Sequence, residues 1–278
     1  MIAGMDESSR EQAESFAAGL MAYLESENLG VDYLAGAYLK MCADVMSEQK
    51  KFMQTGEYSC ESFSKARENV YENEEAMKSY MHGLLLSQFL WKNHNMIFNF
   101  YLREVSAAVD IKSYLEIGPG HGLFLSQAVR IFPEASFLAV DISRTSLGMA
   151  KKMVETFSGR NDVAFEYGDI RNYPVQGKFD FIGMCEVLEH VEDPKSLLTV
   201  AKELLAPGGR LFVTTCANCP AVDHLYNFNT VEAIGEMIAD AGLKIVNELA
   251  LAVEEIPREK WTEERAGVNY AATLEAAR

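Results

Sequence analysis

Proline is missing from this 278-residue chain until Pro119. Proline breaks helices by removing a backbone donor and clashing with the preceding turn, so its absence leaves a long N-terminal stretch free to be helical. Basic residues are also scarce. There are 25 Lys and Arg against 41 Asp and Glu, a net charge of −16 shared evenly by residues 1–110 and 111–278. Packaging of nucleic acid and polybasic docking to membranes both need clustered Lys and Arg, so the composition excludes them. The five cysteines, Cys42, Cys60, Cys185, Cys216 and Cys219, are too few and too irregular for a disulfide framework, which predicts a reducing compartment. No apolar run approaches the ~18 residues of a membrane span. The N-terminal segment MIAGMDESSREQAESF carries acids where a secretion signal needs bases. These absences predict a soluble, cytoplasmic protein. With 49% apolar and 24% charged residues, the rest is ordinary globular composition, and disorder is excluded.

The length suits one catalytic domain with an appendage. Residues 1–110 read as helical and residues 111–278 as the catalytic domain. Phe16, Leu20, Tyr23 and Leu24 fall on one helical face; Val31, Leu34, Tyr38, Leu39 and Cys42 repeat the pattern towards Phe52. Residues 54–58 read as a break. A long, mostly apolar helix is expected from about Glu74 to Val109. The texture then changes. Short apolar runs, SYLEIG, SFLAVD, VAFEYGD, FDFIGM and GRLFVTT, alternate with helical segments, the pattern of a doubly wound parallel sheet. LKIVNELAL and VNYAATLEA supply two closing strands.

Chemistry concentrates at the strand ends. The first strand runs into Glu116-Ile-Gly118-Pro-Gly120-His-Gly122 and then a helix. Glycines there permit a sharp turn and close approach of a ligand to free helix N–H groups. The spacing is G-x-G-x-G, and Leu123 stands where a dinucleotide fingerprint has its third glycine. Asp141 ends the second strand and suits a ribose diol; Asp169 ends the third and suits an exocyclic amine. Either Asp also serves as a helix N-cap.

Together LEIGPGHG, FLAVDIS, YGDI, FDFIGMCEVLEHVEDP and LLAPGGRLFVTT resemble the class I S-adenosylmethionine-dependent methyltransferases over about residues 85–278. The resemblance implies a seven-stranded, mostly parallel, Rossmann-like sheet beside the N-terminal helical domain. It assigns S-adenosyl-L-methionine as cofactor and S-adenosyl-L-homocysteine as product. Glu116 would hold the methionine amino group, Gly118 and Gly120 the methionine portion, and Asp141 the ribose. Ile142, Asp169 and Ile170 would meet the adenine, with Cys185 at the methionine end.

The next element, Glu186-Val-Leu-Glu189-His190, would share one face of a helical turn. Two carboxylates and an imidazole suit a divalent metal such as Mg, Mn, Fe or Zn. Similar elements occur in ubiquinone-pathway O-methyltransferases and in small-RNA 2′-O-methyltransferases, where a later His completes the site; His224 is the counterpart here. The same segment also reads as a metal-free turn, with Asp193 as N-cap and Pro194 as first helical residue, leaving His190 or His224 as a general base. Cys216 and Cys219 read as a coincidental C-x-x-C pair that lines or flanks the loop after the fifth strand, near the substrate. The N-terminal helices, rich in Tyr80, Phe89, Trp91, Phe98, Phe100 and Tyr101 with His82 and His94, read as a lid over the donor or as core, with homodimerisation as a further role. The expected activity is methyl transfer to a small molecule, with a hydroxyl of secondary or quinone-like metabolism as acceptor. An N-methyltransferase, an RNA 2′-O-methyltransferase and an NAD-dependent oxidoreductase are the alternatives. No nucleic-acid or membrane partner is expected.

Overall fold

The computed structural model describes residues 7–277; residues 1–6 of the segment read for a secretion signal lie outside the described residues. Five helices come first: α1 (Glu7–Ser26), α2 (Val31–Thr55), α3 (Phe63–Ala66), α4 (Glu74–Leu90) and α5 (Lys92–Ala107), with a π-helical turn at Arg67–Tyr71. The break after α2 falls at Gly56, whose left-handed backbone (φ +75°) ends the helix through an N–H bond to the Phe52 carbonyl. Asn73 caps α4 by accepting from the Ala76 N–H.

Two sequence expectations need correction here. The helix anticipated from Glu74 to Val109 is two helices. Trp91 adopts an extended conformation between them, and its indole N–H reaches 2.8 Å to the Tyr38 hydroxyl. Tertiary contact thus interrupts a stretch that local propensity would continue. On α2, Leu34, Ala37, Met41 and Phe52 are buried, whereas Val31 and Leu39 are 56% and 66% exposed. The buried face is set by close packing on α4, where a Cβ at Gly83 would come within 2.7 Å of the Met41 Cβ.

The sheet contains β1 (Ser113–Ile117), β2 (Ser136–Asp141), β3 (Ala164–Tyr167), β4 (Phe179–Cys185), β5 (Leu205–Ala217), β6 (Leu243–Ala252) and β7 (Val268–Ala276). Their order is β3-β2-β1-β4-β5-β7-β6, with only β7 antiparallel to its neighbours. The helices between strands are α6 (Leu123–Ile131), α7 (Arg144–Ser158), α8 (Pro194–Leu204) and α9 (Val231–Asp240). The expected doubly wound, seven-stranded architecture is therefore present, with the N-terminal helical region beside it.

Strand alternation divides the core between the two faces. Leu115, Ile117, Ile182 and Met184 pack with Leu198 of α8 and Ile234 of α9. Tyr114, Phe137, Phe181 and Phe212 pack on the other face with α6 and α7, and α1 and α5 join that same core through Leu20, Tyr23, Phe98 and Tyr101. Asp193 caps α8 by accepting from the Ser196 N–H, and Pro194 opens the helix, as expected. No helix among the described residues is long and apolar enough to cross a membrane. All five cysteines are free.

Candidate active site

The carboxyl ends of β1, β2, β3 and β4 open into one cavity, and the expected Glu116, Gly118, Gly120, Asp141, Ile142, Asp169, Ile170 and Cys185 all line it. Gly118 has φ +68°, and a Cβ there would sit 2.8 Å from Val187. The turn needs a residue that tolerates both the left-handed backbone and the crowding. Gly122 makes the following helix fit, since its missing Cβ is where the backbone of Ala150 on α7 approaches.

Each acid is held differently. Glu116 is buried, and its Oε2 accepts a 2.6 Å hydrogen bond from the Tyr114 hydroxyl. Burial pushes its carboxyl up to about 7 against the opposing pull of that bond. Sequence reasoning missed Tyr114 and also Gly183, whose absent Cβ makes room for both groups. Asp141 accepts from the Ser143 N–H at 2.8 Å and the Ser146 hydroxyl at 2.5 Å, and burial still raises its carboxyl above the usual range. Asp169 is clasped by Arg171, with Nε 3.0 Å from Oδ1 and Nη2 2.6 Å from Oδ2. Burial would raise the Asp169 carboxyl, but the guanidinium outweighs it and holds the group low. Arg171, another residue not anticipated, lines the cavity beside it.

The Glu186–His190 element departs from the expected helical turn. Only Leu188–His190 forms a 3₁₀ turn, and Glu186 lies outside it in a left-handed conformation, φ +51°. Its N–H is anchored by the Thr214 carbonyl and hydroxyl at the end of β5. Glu189, His190 and His224 nevertheless converge, with one donor atom from each lying within 4.8 Å of the others. The Glu189 carbonyl draws in the loop that carries His224 by accepting from the N–H groups of Leu225 and Tyr226. Glu186 falls instead in a separate group with Glu189 and Cys216.

Glu189 is fully buried. Its Oε2 accepts from the Thr215 hydroxyl at 2.7 Å, while Oε1 has no hydrogen-bond partner. Burial, with the Glu186 charge adding, raises its carboxyl well above the usual range. His190 Nδ1 lies 3.3 Å from the buried Asp223 Oδ2 and 3.0 Å from the Tyr71 hydroxyl. The rings of His190 and His224 meet edge to face at 4.8 Å. His224 Nδ1 donates to the Cys219 carbonyl at 2.7 Å, and burial, then His190, push this imidazole down to about 4. His190, His224, Glu186 and Asp223 line the cavity.

Its roof comes from the N-terminal helices, through only part of the expected cluster and several other residues. Of the aromatic cluster, Tyr80 and His94 line the cavity, joined by Phe63, Tyr71, Met77 and Met81. Phe98, Phe100 and Tyr101 sit in the sheet core, and His82 is enclosed between Tyr23 and Tyr33. Tyr71 is tied down twice, because its carbonyl also accepts from the Ser143 hydroxyl at 3.0 Å. No local motif announces a pair 119 residues apart such as Tyr71 and His190.

The methyltransferase domain family matches residues 97–248. A ubiquinone biosynthesis O-methyltransferase of Aromatoleum aromaticum is 32% identical over 106 residues, 37% of this chain and 44% of that protein. The chain thus matches under half of that relative's length. Among solved structures, the mitomycin 7-O-methyltransferase MmcR aligns with a TM-score of 0.57 and 15% identity, over 84% of this chain and 68% of its own. The N-methyltransferase NodS of Bradyrhizobium japonicum, bound to S-adenosyl-L-homocysteine, aligns at 0.52 and 18% identity, over 67% of this chain and 89% of its own. With the strand-end glycines and acids gathered in one cavity and the family match spanning more than half its length, the chain belongs to the class I S-adenosylmethionine-dependent methyltransferases.

Proposed function

We propose that the chain transfers a methyl group from S-adenosyl-L-methionine to a hydroxyl oxygen of a small-molecule acceptor, leaving S-adenosyl-L-homocysteine. The observation that carries this reading is one cavity shared by Gly118, Gly120, Asp141, Asp169 and the imidazole of His190, under Tyr71 and Tyr80. The O-methyltransferase name of the ubiquinone relative supports oxygen as acceptor. The five free cysteines support a cytoplasmic setting.

When bound, the donor supplies a methyl already activated on a sulfonium sulfur. The protein's part is to bind, align and exclude water. Ser143 and Ser146 fix the Asp141 carboxylate, which accepts the ribose hydroxyls. Glu116 would receive the methionine ammonium, with Cys185 nearby. Ile142 and Ile170 would flank the adenine, and Asp169 with Arg171 would meet its edge. His190 is the general base, and Asp223 is its positioning residue. With Nδ1–H turned towards Asp223, Nε2 keeps the lone pair. The acceptor's O–H proton passes to Nε2 as the oxygen bonds the methyl carbon. The bound donor would supply the methyl and take the C–S electrons on its sulfur, while Asp223 would stabilise the imidazolium of His190.

A second reading is favoured by the buried Glu189 Oε1, which has no hydrogen-bond partner and lies 3.9 Å from His190 Nε2. Glu189, His190 and His224 would hold a divalent cation, a donor set that suits Mn, Fe or Zn. Such an ion would supply Lewis acidity towards the acceptor oxygen. The chelated, metal-free enzyme separates the two readings. Full activity leaves His190 as the base, and activity lost on chelation and restored by Mn²⁺, Fe²⁺ or Zn²⁺ assigns the ion. In the base reading, His190→Gln lowers kcat by about 10²–10⁴-fold in a methyl-transfer assay while S-adenosyl-L-homocysteine binds as before. An unchanged kcat removes His190 from the reaction. A screen of phenols, catechols, amines and thiols tests the acceptor, and turnover of amines alone overturns the oxygen assignment.

A further inference from the structure

The outward face of α2 is unusual in so acidic a chain. Asp32, Ala35, Gly36, Leu39, Ala43, Met46, Ser47 and Lys50 are all exposed on the side opposite the α4 contact. Leu39 and Met46 are 66% and 73% exposed, and a Cβ at Gly36 would meet open space. The only charges on this face are Asp32 near one end and Lys50 near the other. Neither makes an ion pair among the described residues, whereas Lys40–Asp44 and Lys51–Glu48 pair off along the helix flanks.

We propose that this face binds the same face of a second copy, with the two α2 helices antiparallel about a two-fold axis level with Met41. The spacing of the residues selects this register. It sets Asp32 against Lys50 of the partner and Lys50 against Asp32 of the partner, two ion pairs from one operation. The same register sets Met46 against the partner's Gly36, Leu39 against the partner's Ala43, and Ser47 against the partner's Ala35. Between Asp32 and Lys50 each bulky side chain meets a small one, so the helix backbones can approach closely there and knobs find holes, with Met53 beyond them at the rim. Antiparallel helix dipoles also favour the arrangement. A shift of one turn would break both ion pairs and set Met46 against a larger side chain. Repulsion between two copies of net charge −16 makes an uncharged face the natural place for self-association. Nothing in this contact depends on the proposed reaction, because no α2 residue lines the cavity.

Sedimentation equilibrium of the full chain tests it. The expected species has twice the chain mass of 31.0 kDa, with a Kd of about 1 μM or tighter. A monomer well above that concentration overturns the proposal. Ala43→Arg fills the hollow for Leu39 and should weaken the dimer by about tenfold or more. A dimer unmoved by it uses another face. Asp32→Lys should weaken association about 2–10-fold, and adding Lys50→Asp should restore it. Failure of that rescue overturns the antiparallel register. Circular dichroism melting and S-adenosyl-L-homocysteine binding, unchanged in each variant, separate these effects from misfolding.

Discussion

Glu116 is a buried carboxyl raised towards neutrality, at the position proposed to receive the donor's methionine ammonium. Burial and a single tyrosine hydroxyl place it at about 7. In the proposed reading, a methionine ammonium would have to displace the proton that burial favours on this carboxyl below that pH. Donor affinity should therefore fall as pH drops through 7, approaching tenfold per unit, and Glu116→Gln should flatten the profile; calorimetry at several pH values reads both. The same group makes a stability prediction. Its folded value lies above the ordinary 4.5, so the folded state binds the extra proton. That stabilisation is present below 4.5 and lost as pH rises through 7, about 3 kcal/mol in total. Chemical denaturation of wild type and Glu116→Gln should differ by that change across the window. Asp141→Asn should cost donor binding about 1–3 kcal/mol, because one acceptor oxygen becomes a donor facing hydroxyls. Equal affinity would remove Asp141 from the ribose.

Elements were legible in the sequence where chemistry is local. The glycines of the first turn, the acids closing β2 and β3, and the Asp193–Pro194 helix start are each contained within a few residues, and each stands where its motif places it. Elements defined by what packs on them were harder to read. Trp91 leaves helical conformation for a partner on α2. Val31 and Leu39 are apolar and correctly spaced, yet α4 lies against the turn of helix that carries Leu34 and Met41 instead. The Glu186–His190 segment followed helical spacing on paper, but the bonds from Thr214 to the Glu186 N–H start it in a left-handed conformation. Asp223 tests the element-scale reading of that segment. Asp223→Asn should lower kcat and displace the pH–rate profile while leaving donor affinity intact, a split that loss of packing alone would not produce.

At the scale of the molecule, the N-terminal helices share one core with the sheet, and the cavity has walls from both. Texture and motif separated the helical and strand-rich halves readily, because one has a period near 3.6 and the other near 2. The sequence was silent on the seam. The contacts of Tyr71, Arg171 and Asp223 join positions that carry no shared spacing. Tyr71 carries a further meaning in time. Its carbonyl accepts from the Ser143 hydroxyl in the loop beside Asp141, and its hydroxyl meets the His190 imidazole. Under the proposed reaction, an opening that breaks one of these ties would strain the other, and departure of the two products would then be a shared event that solvent friction resists. Turnover should slow as glycerol thickens the medium, and Tyr71→Phe, which keeps the main-chain tie and leaves the imidazole held by Asp223 alone, should lessen that drag. A kcat indifferent to viscosity would place the slow moment in bond making instead.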